Sequence, residues 1–366
     1  MIAARMRKID ASGIRKVFDL AAQIKDPINL SIGQPDFDVP DAVKQAAIGA
    51  IADGFNRYTV TQGIPELRAA LRDTLVRAGR LLSHSTADVT IASGTSGGLL
   101  LALLALVNPG DEVVVADPYF VMYKHLLNLF HATPVFASTY PDFRLTAARI
   151  EPVLTAKTKM VIINSPCNPS GAVSGADELK DIAALCNARG IWILSDEVYR
   201  SFCYDGPCAS IFPLAERGLL LDGFSKSHAM TGWRIGFVAG PPEVIQEVNK
   251  LQQYTFVCAP SMAQKAALAA LSCDMSSALA SYRKKRDMVF NGLKDTFDLV
   301  KPGGAFYAFP AAPGGDATSF AKKALERKLL IIPGNVFSER DTHFRISYAA
   351  TNATIERGLD VLRSLA

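Results

Sequence analysis

The reading of this chain turns on LLLDGFSKSHAMTGWRIGFVAG, residues 219–240. LLLDGF (219–224) and RIGFVAG (234–240) are apolar runs of strand length, and the polar segment between them places Ser225, Lys226 and Arg234 beside strand ends. Runs that are continuously apolar, rather than alternating, mark strands buried on both faces, as in a mostly parallel sheet covered by helices. The same texture recurs upstream in DVTIAS (88–93), DEVVVADP (111–118), TPVFAS (133–138), KMVIINS (159–165) and IWILSDEV (191–198). Helical patterns such as ADELKDIAALCNARG (176–190) lie between several of them, and the apolar stretch after Gly97 reads as a buried helix. The pattern predicts a large α/β domain, whose ligand sites lie outside the carboxyl ends of its strands.

From about residue 261 the texture changes. A long amphipathic helix is expected over 277–296, and GAFYAFP (304–310) and HFRISYA (343–349) read as strands with helices between and after, giving a smaller α+β domain. Near the start, a helix is expected over 13–25 and an extended INLSIGQPDF over 28–37. Composition alone does not assign that segment. The division adopted is a large domain over 45–260 and a small domain made of 1–44 and 261–366.

The 366 residues carry a net charge of only +4, without a basic block of the kind that binds nucleic acid or a membrane surface, so a small-molecule partner is expected. The longest apolar run, Leu99 to Val107, falls well short of the roughly 20 residues that a spanning helix needs. MIAARMRKID places charges where a signal peptide needs its apolar segment. Six cysteines show neither a CxxC pair nor zinc-like spacing with histidine, which fits reduced thiols, no metal and a cytoplasmic location.

The strand ends carry the chemistry. SGTSGG (93–98) follows a strand and opens a helix, so its backbone N–H groups and hydroxyls can cradle an anion, although an ordinary tight turn looks the same. Gly94, Ser96 and Gly98 also fit G-x-S-x-G, the nucleophile elbow of α/β hydrolases, with Asp196 and His228 or His343 as later partners; no HGGG-like motif precedes it. DPYF (117–120) and NSPCNPSG (164–171) are ambiguous singly, as packing aromatics and turn asparagines. In SDEVYR (195–200), Asp196 and Glu197 end an apolar strand, where a carboxylate needs a cationic partner. A lone lysine is ordinarily a solvated charge. Lys226, set between two serines after LLLDGF, can instead attack carbonyl carbon once desolvated. The set as a whole suits pyridoxal phosphate (PLP), which needs a lysine for its aldehyde, an acid for its pyridine nitrogen, and an arginine with backbone donors for its phosphate.

These motifs, and FSKSHAMTGWRIGF (224–237) above all, resemble the class I/II aminotransferases of PLP fold type I, from about Gly13 to the C-terminus. The resemblance implies a seven-stranded-type, mostly parallel sheet. It implies a Schiff base and proton shuttle at Lys226, and Asp196 on the pyridine nitrogen. Tyr199 and Asn168 would bond the phenolic oxygen, and the ring would stack on Phe120 rather than Tyr119. Thr95, Ser96, Ser225 and Arg234 would hold the phosphate. Arg345, in FRISYA, matches the fork that grips the substrate α-carboxylate, with Gly33 near it. Tyr58 matches a tyrosine that reaches the phosphate from a partner subunit, implying a homodimer with shared sites. The expected reaction is ping-pong transfer of an amino group between an amino acid and a 2-oxo acid. A PLP-dependent C–S or β-lyase and a hydrolase using Ser96 are the alternatives, and a PLP-domain regulator lacks a DNA-binding extension. Some aspartate-type relatives carry lysine where this chain has Ser96, and no second arginine matches a distal-carboxylate binder, so the amino acid is left open.

Overall fold

The computed structural model describes residues 2–11, 13, 17 and 24–366. The helix expected over 13–25 lies mostly outside the described residues. The first strand, β1, is Ile28–Asn29. Seven longer strands follow: β2 (Asp88–Ser93), β3 (Glu112–Asp117), β4 (Thr133–Ser138), β5 (Thr158–Asn164), β6 (Trp192–Asp196), β7 (Gly218–Gly223) and β8 (Ile235–Gly240). They form one sheet in the order β2-β8-β7-β6-β5-β3-β4. Only β8 runs against the rest, antiparallel to both β2 and β7. The mostly parallel seven-stranded α/β sheet is therefore present.

Its interior strands are apolar because both faces are covered. Val113, Val115, Ile162 and Leu194 pack with the helix Gly94–Leu106 on one side. Val114, Val161, Ile163 and Ile193 pack with the helix Ala176–Ala188 on the other. The helix Gly94–Leu106 is apolar on all sides and lies between the sheet and the helix Pro242–Gln253. Because β2, β3, β5, β6 and β7 run the same way, Ser93, Asp117, Asn164, Asp196 and Gly223 end on one edge of the sheet.

Four short strands complete the inventory: β9 (Tyr307–Ala308), β10 (Leu329–Leu330), β11 (Ile332–Pro333) and β12 (Phe344–Ser347). β1 pairs in parallel with β10, so the segment after residue 27 packs with the C-terminal part, and Leu30 shares a core with Tyr348 and Ile355. GAFYAFP is mostly not a strand, since only Tyr307 and Ala308 join the ladder beside β12. LLLDGF ends as a strand at Gly223, and Phe224 begins a helical turn that carries Lys226. The helix Ser261–Ala270, given to the small domain on texture, packs with the helix Asp41–Ala52 and with Ile235 and Phe237 of β8. We propose a first boundary just before the helix Asp41–Ala52, which the expected 44/45 division would cut, and a second past Ala270 on that packing.

Candidate active site

The shared strand edge faces the small sheet across a cleft of about 240 Å³. Lys226 enters it from the short helix Phe224–Ser227. Its Nζ donates to the Gly33 carbonyl at 2.6 Å and lies 5.9 Å from the Tyr199 ring centre. Burial, with the nearby Arg345 and Arg234 guanidinium groups, brings its ammonium down to about 8. A useful fraction of the amine is therefore neutral near pH 7, as proton transfer or carbonyl attack requires.

Asp196, at the end of β6, is 5% exposed. Burial pushes its carboxyl up to about 6, against the pull of the Tyr123 hydroxyl, which donates to Oδ2 at 2.6 Å. The neighbouring Glu197 points away from the cleft, to Arg80, whose Nε stands 2.9 Å from it while Nη2 stands 2.7 Å from Asp222. The cationic partner expected at this strand end thus serves Glu197, and Asp196 has no cation in direct contact among the described residues.

Thr95 and Ser96 sit in the first turn of the helix Gly94–Leu106, whose free N–H groups face the cleft edge. Gly94 has φ +71°, and a Cβ there would collide with the Arg234 guanidinium, so glycine is needed for backbone and arginine to meet. Ser225 Oγ is buried with no hydrogen-bond partner among the described residues. Phe120 lines the cleft, edge-on to Tyr123. Tyr119 turns away, stacked on Phe136 and donating to Glu339 at 2.7 Å.

Arg345, on β12, is 1% exposed. Nη1 donates to Asn168 Oδ1 at 2.9 Å and Nη2 to the Ser31 carbonyl at 2.7 Å. Its plane is held between the Tyr307 and Phe337 rings, 4.4 and 4.5 Å from Cζ, while Nε is buried without a partner among the described residues. Tyr199 pairs its hydroxyl with that of Tyr307 at 2.8 Å.

Eleven of the twelve candidate residues therefore line this one cleft: Gly33, Thr95, Ser96, Phe120, Asn168, Asp196, Tyr199, Ser225, Lys226, Arg234 and Arg345. The twelfth, Tyr58, is 82% exposed and outside it. Sequence reasoning missed Tyr123, Tyr307 and Arg80. Tyr123 stands three residues after Phe120 on one helix face, a spacing that could have flagged it. The hydrolase alternative fails on geometry, because no histidine lines the cleft beside Ser96. His228 pairs with Ser227, and His343 stacks on Phe309.

Known proteins share the sequence pattern and the fold. The family described as Aminotransferase class I and II matches residues 25–362. A probable aspartate aminotransferase of Methanocaldococcus jannaschii is 37% identical over the full length of both chains. A probable N-acetyl-LL-diaminopimelate aminotransferase of Bacillus subtilis is 39% identical, covering 99% of this chain and 95% of that one. Among solved structures, the aspartate aminotransferase of Thermus thermophilus with maleate superposes with a TM-score of 0.95 at 31% identity, over all of both chains. Sequence and fold agree, and the chain belongs to the class I and II aminotransferases.

Proposed function

We propose that the chain moves an amino group between an L-amino acid and a 2-oxo acid by a ping-pong route, with PLP carried on Lys226. What supports this above all is one cleft that holds a lysine brought down to about 8, a buried aspartate and an arginine with a free Nε. The residues fit the cofactor. The orphaned Ser225 hydroxyl, the helix N-terminus at Thr95 and Ser96, and Arg234 over Gly94 make an anion cradle. Bound there, PLP supplies an aldehyde and a protonated ring that serves as an electron sink.

The remaining work falls to the chain. With the cofactor bound, Asp196 would keep its ring nitrogen protonated, Phe120 would pack against its ring, and Asn168 and Tyr199 would hydrogen-bond its phenolic oxygen. Arg345 turns its unused N–H groups to the α-carboxylate, close to Gly33, and so fixes Cα above Lys226. Once the substrate amine had displaced it from the aldehyde carbon, the freed neutral Lys226 amine would take the Cα proton and return it to that carbon.

We further propose a homodimer in which Tyr58 reaches the partner's phosphate, a reading supported by its 82% exposure, and a cytoplasmic location, supported by six free cysteines. The test reduces the purified protein with borohydride and maps the adduct. It also runs an amino-acid panel with 2-oxoglutarate beside a no-acceptor control that detects pyruvate. A Lys226 adduct and acceptor-dependent turnover are expected. An adduct elsewhere overturns the lysine assignment, and pyruvate release without an acceptor makes the chain a lyase.

A further inference from the structure

Tyr307 touches three parts of the site at once. Its hydroxyl is 2.8 Å from that of Tyr199, its ring lies under Arg345, and its oxygen occupies the space that a Cβ on Gly33 would take. It pairs with Ser347 in the small sheet, two residues from Arg345, whereas Tyr199 follows β6 of the large sheet. Both tyrosines are shielded from bulk solvent in the cleft wall, Tyr307 with 1% exposure, so a missing partner is costly.

A pair of phenols shares one contact but carries two protons, so one proton must point elsewhere. The Tyr307 hydroxyl is wedged against Gly33, and its sole hydrogen-bond partner among the described residues is Tyr199. Were Tyr199 the donor, the Tyr307 proton would have no acceptor among the described residues. The guanidinium over the Tyr307 ring also makes its hydroxyl the better donor. We propose that Tyr307 is a positioning residue: it donates to the Tyr199 oxygen and so commits the Tyr199 proton to the cofactor's phenolic oxygen. This rests on the function proposed above.

The test compares wild type, Tyr307→Phe, Tyr199→Phe and the double variant, each stripped of cofactor and titrated with PLP. Phenylalanine keeps the ring under Arg345 and removes only the hydroxyl. Two readouts are independent of turnover: the PLP dissociation constant of the stripped protein and the pH midpoint of the visible band. Tyr307→Phe should weaken PLP about threefold to tenfold, the scale of one hydrogen bond. It should raise the midpoint by about 0.5 pH unit, or roughly threefold in proton affinity, because an oxygen with a poorly aimed donor holds its proton more tightly. In the Tyr199→Phe background the same change should add nothing. An unmoved midpoint in Tyr307→Phe, or additive effects in the double variant, overturns the proposal. Wild type that takes up no PLP would defeat the functional reading itself, and the proposal with it.

Discussion

Tyr123 donates its hydroxyl to Asp196 Oδ2 at 2.6 Å, in the wall of the cleft. That bond favours the ionised carboxylate while burial opposes it. Asp196→Asn should keep the fold and much of the cofactor yet lose turnover by several orders of magnitude, because an amide cannot hold the ring nitrogen protonated. Tyr123→Phe removes a helper rather than the charge and should cost about tenfold or less. Single-turnover kinetics on both variants decides the ranking. A Tyr123→Phe defect as deep as that of Asp196→Asn would mean that the hydroxyl, not the carboxylate, carries the function.

Cofactor uptake by the stripped protein should depend on pH in a defined direction. Lys226 attacks as the neutral amine, which prevails above about 8, and Asp196 loses its charge as pH falls through about 6. The uptake rate should therefore climb between about pH 6 and 8 and level off above that. Stopped-flow absorbance with PLP measures it. In Tyr123→Phe the acid edge should move to higher pH, since the carboxylate loses a donor. A flat profile would contradict both assignments.

Arg80 stands between Glu197 and Asp222, and all three lie out of bulk water. Arg80→Met would leave buried Asp222 without its cation and Glu197 with only Arg200, 3.6 Å away, a loss of about 3–5 kcal/mol in unfolding free energy. Urea titration reads it directly. The deficit should shrink as pH falls, because protonation neutralises the orphaned groups, and a deficit that grows toward low pH would contradict this account.

The seven long strands were legible because strands covered on both faces carry continuous apolar runs, and their ends pointed to Lys226, Asp196 and Arg234. Their order was not legible, nor the reversed direction of Ile235–Gly240, because an apolar run encodes burial and not polarity. Strands of two residues, such as Ile28–Asn29 and Tyr307–Ala308, are too short to show any period. Tyr123 and Tyr307 were hidden for another reason. An aromatic in an apolar setting reads as core, and what sets these two apart is a hydroxyl contact across 73 and 108 residues of chain. Gly94, Ser96 and Gly98 offered the opposite case, an alternative spacing whose histidine the fold does not supply.

Arg345 supplies the most selective prediction. Its guanidinium is fixed on three sides, by Asn168 Oδ1, by the Ser31 carbonyl, and by the rings of Tyr307 and Phe337. The N–H groups left over, among them the unpaired Nε, are pre-aimed, so little rotamer freedom remains to be lost when a carboxylate arrives. Lysine offers a point charge in place of that fork and cannot keep both Asn168 and Ser31 while binding a carboxylate side-on. Arg345→Lys should lower kcat/KM by roughly tenfold to a thousandfold, about 1.4–4 kcal/mol. Aspartate, an aromatic and an aliphatic amino acid should suffer alike, because all share the α-carboxylate. PLP content should hold, since the phosphate cradle at Ser225 and Arg234 is separate from Arg345. Steady-state kinetics on those three substrates provides the check, and a loss confined to the acidic one would move Arg345 to the distal carboxylate.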